Sequence, residues 1–300
     1  MANFARIGLV TRLHLEQVID TLNHLVRFLN SAGWQPVVES SAAGLLAPGG
    51  DYRVEERDTM ARSVDLVIVV GGDGSMLSAA RDMVDYDVPL LGVNRGRLGF
   101  LTDILPHEVE QRVTRVLSGE YVVSDRFLLD VSVTRGEQKV GDGLALNDVV
   151  LHPGKSVRMM EFELYVDRQF VYSQRSDGLI VSTPTGSTAY ALSAGGPIMH
   201  PRLDALVLVP MNPHTLTSRP IAVPGSSAVE IRVGERNELH PLVTCDGQRD
   251  ILIEPGDSIR IRKKDKPLRL IHPVDHNFYS ICRSKLGWGS RLDSGEYIER

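Results

Sequence analysis

Gly71-Gly72-Asp73-Gly74-Ser75 follows directly on an apolar, β-branched run and opens a stretch of helical spacing. Glycines at such a strand-to-helix turn let backbone amides approach a phosphate that a side chain would exclude. The helix N-terminus adds partial positive charge and N–H groups at the same place. Gly71, Gly72, Gly74 and Ser75 are therefore candidate phosphate-binding residues. A carboxylate amid them would repel phosphate unless it binds a cation or takes a proton, so Asp73 reads as a general base. An Asp-Gly turn with Asp73 as helix N-cap is the other reading, and the motif alone leaves both open.

Leu146-Asn147-Asp148-Val149-Val150 sets two polar residues in an otherwise apolar strand. Burying them without partners is costly, so either a ligand such as a ribose faces them, or a bulge or turn satisfies them through backbone. The densest segment runs from Arg175-Ser176-Asp177-Gly178 through Thr183-Pro184-Thr185-Gly186-Ser187-Thr188-Ala189-Tyr190-Ala191-Leu192-Ser193. It is too polar for a core, and its hydroxyls and amides suit ribose and phosphate, with Tyr190 available to pack on a base. Gly92-Val93-Asn94-Arg95-Gly96-Arg97-Leu98-Gly99-Phe100 reads equally as a brace for a phosphate site or as a flexible connection.

No Gly-x-x-x-x-Gly-Lys-Ser/Thr loop, protein-kinase set or spaced Gly-x-Gly-x-x-Gly is present, which excludes the common nucleotide architectures. The two cysteines, Cys245 and Cys282, lie far apart without metal spacing, so they read as packed thiols and no protein-bound metal is expected. The nine histidines show no spacing that suggests a relay.

These residues need elements to position them. Residues 1–120 alternate short apolar runs with helix-period segments: strands at 7–10, 64–70 and 89–93, and helices with apolar faces from Leu15 to Leu29 and over 106–117. That pattern predicts an α/β N-terminal domain with a parallel sheet. From about 121 to 275 strand-like runs follow one another, at 127–133, 144–151, 160–166, 170–173, 178–182, 205–209, 229–233, 251–253 and 258–262, which predicts a β-rich, sandwich-like C-terminal domain. A last segment, 276–300, begins with helical character.

The 300-residue length fits two domains. A formal net charge of -5 provides no field for a nucleic-acid backbone. No apolar run is long enough to cross a bilayer and no signal-peptide pattern opens the chain, so a cytoplasmic protein that binds neither nucleic acid nor membrane is expected.

Together, Gly71-Gly72-Asp73-Gly74, Leu146-Asn147-Asp148, Asp177-Gly178 with Thr183 to Tyr190, and Cys245-Asp246-Gly247-Gln248 resemble the bacterial NAD kinases over essentially the whole chain. Many members carry Asn-Glu where this chain has Asn147-Asp148. The resemblance implies transfer of the γ-phosphoryl group of ATP to the 2′-hydroxyl of the adenosine ribose of NAD. Asp73 would be the base, and Asp73, Gly74, Asn147, Asp148, Arg158, Arg175, Asp177, Thr188, Ala189, Tyr190, Ala191, Leu192, Ser193 and Gln248 the NAD-binding residues. It implies a divalent cation, Mg²⁺ carried in on ATP, a homodimer or homotetramer, and a final helix that returns to the N-terminal domain. A lipid or sugar kinase sharing the glycine-Asp turn, and a dinucleotide sensor without catalysis, are the rival functions.

Overall fold

Residues 4–12, 16–95, 99–156, 158–238 and 240–289 are described in a computed structural model of the chain. Leu15 of the first expected helix, Gly96, Arg97 and Leu98 of the arginine-containing run, and the last part of the C-terminal segment lie outside them.

The chain divides into two compact units, Met1–Ser124 with Leu268–Arg300, and Asp125–Pro267. The first begins with strands β1 (Arg6–Val10), β2 (Gln35–Glu39), β3 (Arg53–Glu55), β4 (Leu66–Val70), β5 (Leu90–Val93) and β6 (Tyr121–Arg126). Helices α1 (Glu16–Ser31), α2 (Ser40–Ala43), α3 (Arg57–Ser63), α4 (Asp73–Met83) and α5 (Val109–Leu117) alternate with them. The second holds β7 (Leu129–Arg135), β8 (Gln138–Ala145), β9 (Asp148–His152), β10 (Met160–Val166), β11 (Gln169–Ser176) and β12 (Gly178–Ser182), then α6 (Tyr190–Ser193). It continues with β13 (Ala205–Met211), β14 (Ile221–Pro224), β15 (Val229–Val233), β16 (Leu242–Cys245), β17 (Arg249–Leu252) and β18 (Ser258–Lys263). Finally β19 (Leu268–Pro273) and α7 (Phe278–Leu286) return to the first unit.

In the first unit a seven-stranded sheet runs β3-β2-β1-β4-β5-β19-β6, with β1 to β5 parallel and β19 parallel to β5. All five residues of β4 are buried, as expected for a strand covered on both faces. Val18, Leu22, Leu25, Val26 and Leu29 form the apolar stripe of α1, which packs with Val109, Val113 and Val116 of α5 onto one face of the sheet. Residues 268–273 read from sequence as part of the β-rich domain. They form a strand of this parallel sheet instead, because Leu268, Leu270 and Ile271 are buried there beside β5.

The second unit is a sandwich of two six-stranded antiparallel sheets, β11-β10-β15-β18-β7-β8 and β14-β13-β12-β9-β16-β17. Alternate residues of the first sheet (Leu129, Val131 and Val133; Met160, Phe162 and Leu164; Val229 and Ile231; Ile259 and Ile261) point into one core with Val149, Leu151, Leu179, Val181 and Val243 of the second. The outer face of the second sheet is apolar as well, since Val150, Ile180, Val207 and Val209 are covered by Ala191 and Met199 of the segment that follows β12. No helix among the described residues is long and apolar enough to cross a membrane.

The single strand expected over 144–151 is two strands. β8 belongs to one sheet and β9 to the other, so the chain changes sheets at Leu146 and Asn147. The apolar pattern runs through this corner because both sheets face the same core.

Candidate active site

In the first unit the glycine-rich turn joins β4 to α4, and Asp73 is the first residue of that helix. Its carboxylate does not cap the helix. Oδ2 accepts the backbone N–H of Phe100 at 2.9 Å, and Oδ1 accepts that of Leu101 at 3.0 Å and lies 3.4 Å from the Thr102 hydroxyl. The described part of the arginine-containing run is therefore a brace for Asp73. A Cβ on Gly99 would stand 2.1 Å from Asp73 Oδ1, so only glycine allows this approach. Thr102 is itself held by Asn94, whose Nδ2 donates to Thr102 Oγ1 at 2.7 Å. Gly74 is exposed, whereas Ser75 is buried and its N–H donates to Gly72 O. The Ser75 hydroxyl is buried and turned inward.

In the second unit Asn147 and Asp148 stand at the sheet-switching corner, which is satisfied through backbone by a residue 98 to 100 positions away. The carboxylate of Asp246 accepts three backbone N–H groups: Leu146 at 3.0 Å, Asn147 at 2.7 Å and Asp148 at 3.3 Å. Cys245-Asp246-Gly247-Gln248 is a tight hairpin turn closed by Gln248 N–H to Cys245 O at 3.0 Å, with φ of 54° at Asp246 and 62° at Gly247. Two consecutive positive φ values are those of a type I′ turn, for which Asp-Gly is a favoured pair.

The hydroxyl-rich segment closes the corner from the other side. Thr183 Oγ1 donates to Leu146 O at 2.6 Å and accepts from Gly186 N–H at 3.1 Å, while Ser187 Oγ donates to Pro184 O at 2.7 Å and accepts from Met199 N–H at 2.9 Å. Ser182, Thr183 and Ser187 are buried. Their hydroxyls, read as ligand groups, build the loop instead, because a buried hydroxyl left unpaired costs on the order of 1 to 3 kcal/mol.

Asn147, Asp148, Asp177, Ala189, Tyr190 and Asp246 share a cavity of about 580 Å³ in the second unit. Asp148 is 4% exposed, and its carboxyl is pushed up to about 7, first by burial and then by the Asp246 carboxylate, with the Tyr190 backbone N–H opposing. It is poised between donor and acceptor. Tyr190 is half exposed, and Asp177 accepts from Asn212 Nδ2 at 2.8 Å. Ala191 lies beneath in the apolar cluster, and Thr188, Leu192, Ser193 and Gln248 surround the same turns without being part of the described cavity lining. Arg158 and Arg175 are not brought to the cavity: Arg158 pairs with Glu238 at 2.5 Å in solvent, and Arg175 is exposed on β11 of the other sheet.

Sequence reading did not assign Asp246, His152 or Thr244 to the site, although all of them line the cavity. His152 Nδ1 accepts the N–H of Gly154 at 3.2 Å, so Nε2 carries the proton toward Thr244 Oγ1 at 2.8 Å, and that hydroxyl donates to Asp250 at 2.7 Å. Burial holds the His152 pKa below its ordinary value, with the Asp250 carboxylate opposing. The Asp-Gly turn was the signal for Asp246. The histidine had none, since Thr244 lies 92 residues away.

A family model described as the ATP-NAD kinase N-terminal domain matches residues 7–121, and one described as the ATP-NAD kinase C-terminal domain matches residues 146–273. An NAD kinase of Azotobacter vinelandii is 58% identical over 98% of this chain and 100% of its own length. One of Pseudomonas aeruginosa strain PAO1 is 57% identical over 99% and 100%. Among solved structures, yeast NADH kinase complexed with NADH superposes with a TM-score of 0.86 at 22% identity, covering 99% of this chain and 91% of that one. An NAD kinase from Archaeoglobus fulgidus in complex with ATP gives 0.72 at 25% identity, covering 95% and 100%. The architecture is thus that of kinases acting on nicotinamide dinucleotides. The chain belongs to the ATP-NAD kinase family.

Proposed function

We propose that this protein binds NAD in the cavity around Asn147 and Asp148 and phosphorylates the 2′-hydroxyl of its adenosine ribose with ATP, producing NADP. The observation that carries the reading is the pair of polar side chains at the sheet-switching corner, held there by Asp246 and opening on a cavity lined by Tyr190. An amide and a carboxyl side by side can donate to and accept from the hydroxyls of one ribose. Tyr190 offers a face for a base.

Asp73 takes the proton as the hydroxyl attacks the γ-phosphorus, and the hydrogen bonds from Phe100 and Leu101 hold its carboxylate in one orientation. Oδ2, which accepts one hydrogen bond, keeps a lone pair for the substrate. Phosphoryl transfer asks the protein chiefly for alignment and for charge to offset the phosphate oxygens. The glycine turn ahead of α4 supplies backbone N–H groups for the phosphates. Mg²⁺ carried in on ATP would offset the remaining charge, and it would need few protein ligands because it keeps its waters. No residue of the turn is assigned to the ion. The protein acts in the cytoplasm as a homodimer or homotetramer. Arg158 and Arg175, exposed on this chain, are assigned to dinucleotide binding by family resemblance alone.

Incubation of the purified chain with ATP, Mg²⁺ and NAD, followed by an NADP-specific dehydrogenase, tests the activity. A lipid or sugar kinase, or a sensor, yields no NADP. Asp73→Asn should retain NAD binding and lose about 10² to 10⁴ in turnover. A variant within a few-fold of the parent would remove Asp73 from the mechanism.

A further inference from the structure

We propose that Asp103, His272 and His276 form a binding site for a divalent transition-metal ion of the zinc type, separate from the nucleotide site. The proposal does not rest on the catalytic reading. Its three residues come from different segments of the first unit. Asp103 follows the loop that braces Asp73, His272 lies on β19, and His276 lies in the turn before α7.

Three donor atoms converge. His272 Nδ1 is 2.7 Å and His276 Nδ1 2.6 Å from the same carboxylate oxygen, Asp103 Oδ2, and all three ligand atoms lie within 4.8 Å of one another. The two imidazoles stack with centroids 3.9 Å apart and planes inclined by 23°, so their Nδ1 edges face one point. Side-chain exposures of 1% for His272, 9% for Asp103 and 14% for His276 make this a nearly dry cluster, most open at His276.

Hydrogen bonding alone accounts for the cluster incompletely. A carboxylate accepts only, so each Nδ1 directed at Oδ2 carries a proton, and one oxygen serves two donors. The other oxygen, Oδ1, is buried with no hydrogen-bond partner among the described residues, a costly arrangement for a carboxylate. A bound cation removes that cost. It displaces the two Nδ1 protons to solvent, each ring carrying a proton on Nε2 so that it ligates as neutral imidazole, takes both Nδ1 lone pairs, and is within reach of either carboxylate oxygen. At zinc bond lengths of about 2.0 to 2.2 Å, tetrahedral donors stand roughly 3.3 Å apart, so each of the two Nδ1 to Oδ2 separations opens by about 0.6 Å.

The donor set chooses the ion. Two imidazoles and one carboxylate suit Zn²⁺, Co²⁺ or Fe²⁺, whereas Mg²⁺ and Ca²⁺ prefer all-oxygen sites. Bound there, the ion ties the loop carrying Phe100 to Thr102 to the returning C-terminal segment. It would steady the brace on Asp73 without touching substrate.

The test uses the full, untagged chain, stripped with a chelator and titrated with Zn²⁺ or Co²⁺ by calorimetry and by the visible absorption of Co²⁺, with melting temperature recorded in parallel. One ion per chain, tetrahedral or five-coordinate cobalt bands, a raised melting temperature, and retention in excess Mg²⁺ are expected. His276→Gln, at the more open edge and so least apt to unfold, should weaken binding by at least about tenfold and abolish the thermal shift. His107→Gln, away from the cluster, should change neither. If the parent takes up neither ion, or if His276→Gln binds as the parent does, the assignment falls and the three residues are a hydrogen-bonded ion-pair cluster only.

Discussion

Asp246 Oδ1 accepts the backbone N–H of Asn147 at 2.7 Å, joining a hairpin turn to the corner where the chain passes from one sheet of the sandwich to the other. Two more N–H groups, of Leu146 and Asp148, end on the same carboxylate. Asp246 therefore orients the amide and carboxyl that face the cavity. Its removal strands donors that are buried or half-buried. Asp246→Ala should destabilise the fold by about 3 kcal/mol and raise KM for NAD more than it lowers kcat. Asp246→Asn, which tolerates the positive φ and keeps one acceptor, should fall between parent and alanine variant in both melting temperature and KM. Equal KM values for all three would show that the carboxylate does not position the site.

Asp148 makes stability depend on pH. Its carboxyl titrates at about 7 in the folded chain against an ordinary 3.8, chiefly through burial. Folding therefore takes up a proton between these values, so the contribution is full below about 4, is lost as pH rises, and levels off above about 7. Asp148→Asn lacks this slope. Relative to the parent it should gain stability from about pH 5 to about pH 8, by roughly 2 to 3 kcal/mol. Denaturant unfolding of both proteins at the two pH values measures the gap. A gap that narrows as pH rises contradicts the assignment.

Gly99 is required by the Asp73 carboxylate, which a Cβ would meet at 2.1 Å. Gly99→Ala must either turn the carboxylate or lift the brace. With the proton acceptor misaligned, kcat should fall by about 10² while NAD affinity, set in the other unit, stays within a few-fold. Steady-state kinetics beside NAD titration separates the two, and an unchanged kcat would show that the brace is dispensable.

Gly186 makes the corresponding close approach in the second unit. A Cβ there would lie 2.1 Å from the carbonyl oxygen of Asn147, a backbone atom with no rotamer in which to retreat. Gly186→Ala should cost about 2 to 4 kcal/mol and weaken NAD binding, both visible in melting and titration. A melting temperature equal to the parent's would mean the loop yields.

Tyr190 is 47% exposed at the cavity, so its loss should be felt by ligand more than by the fold. Tyr190→Ala should raise KM for NAD by about 2- to 10-fold, as expected for one aromatic contact of about 0.5 to 1.5 kcal/mol, with little change in melting temperature. An unaltered KM would remove Tyr190 from base recognition.

The parallel α/β layer and the sandwich were legible in the sequence because each rests on local periodicity. The stripe from Val18 to Leu29, the fully apolar β4, and the alternation of Met160, Phe162 and Leu164 specify elements without knowledge of their partners. The motifs were legible for the same reason: Gly71 to Ser75 and Asn147-Asp148 are polar where the local pattern calls for apolar residues. Tertiary structure alone decided which oxygen meets which donor. The bonds that aim Asp73 span 27 to 29 residues, those of Asp246 span 98 to 100, and His152 meets Thr244 across 92. Strand β19 joins a sheet whose other members all precede residue 127, and it brings His272 to Asp103 across 169 positions. Such pairings depend on strand order and on loop closure between distant segments, and no periodicity along the chain encodes either one.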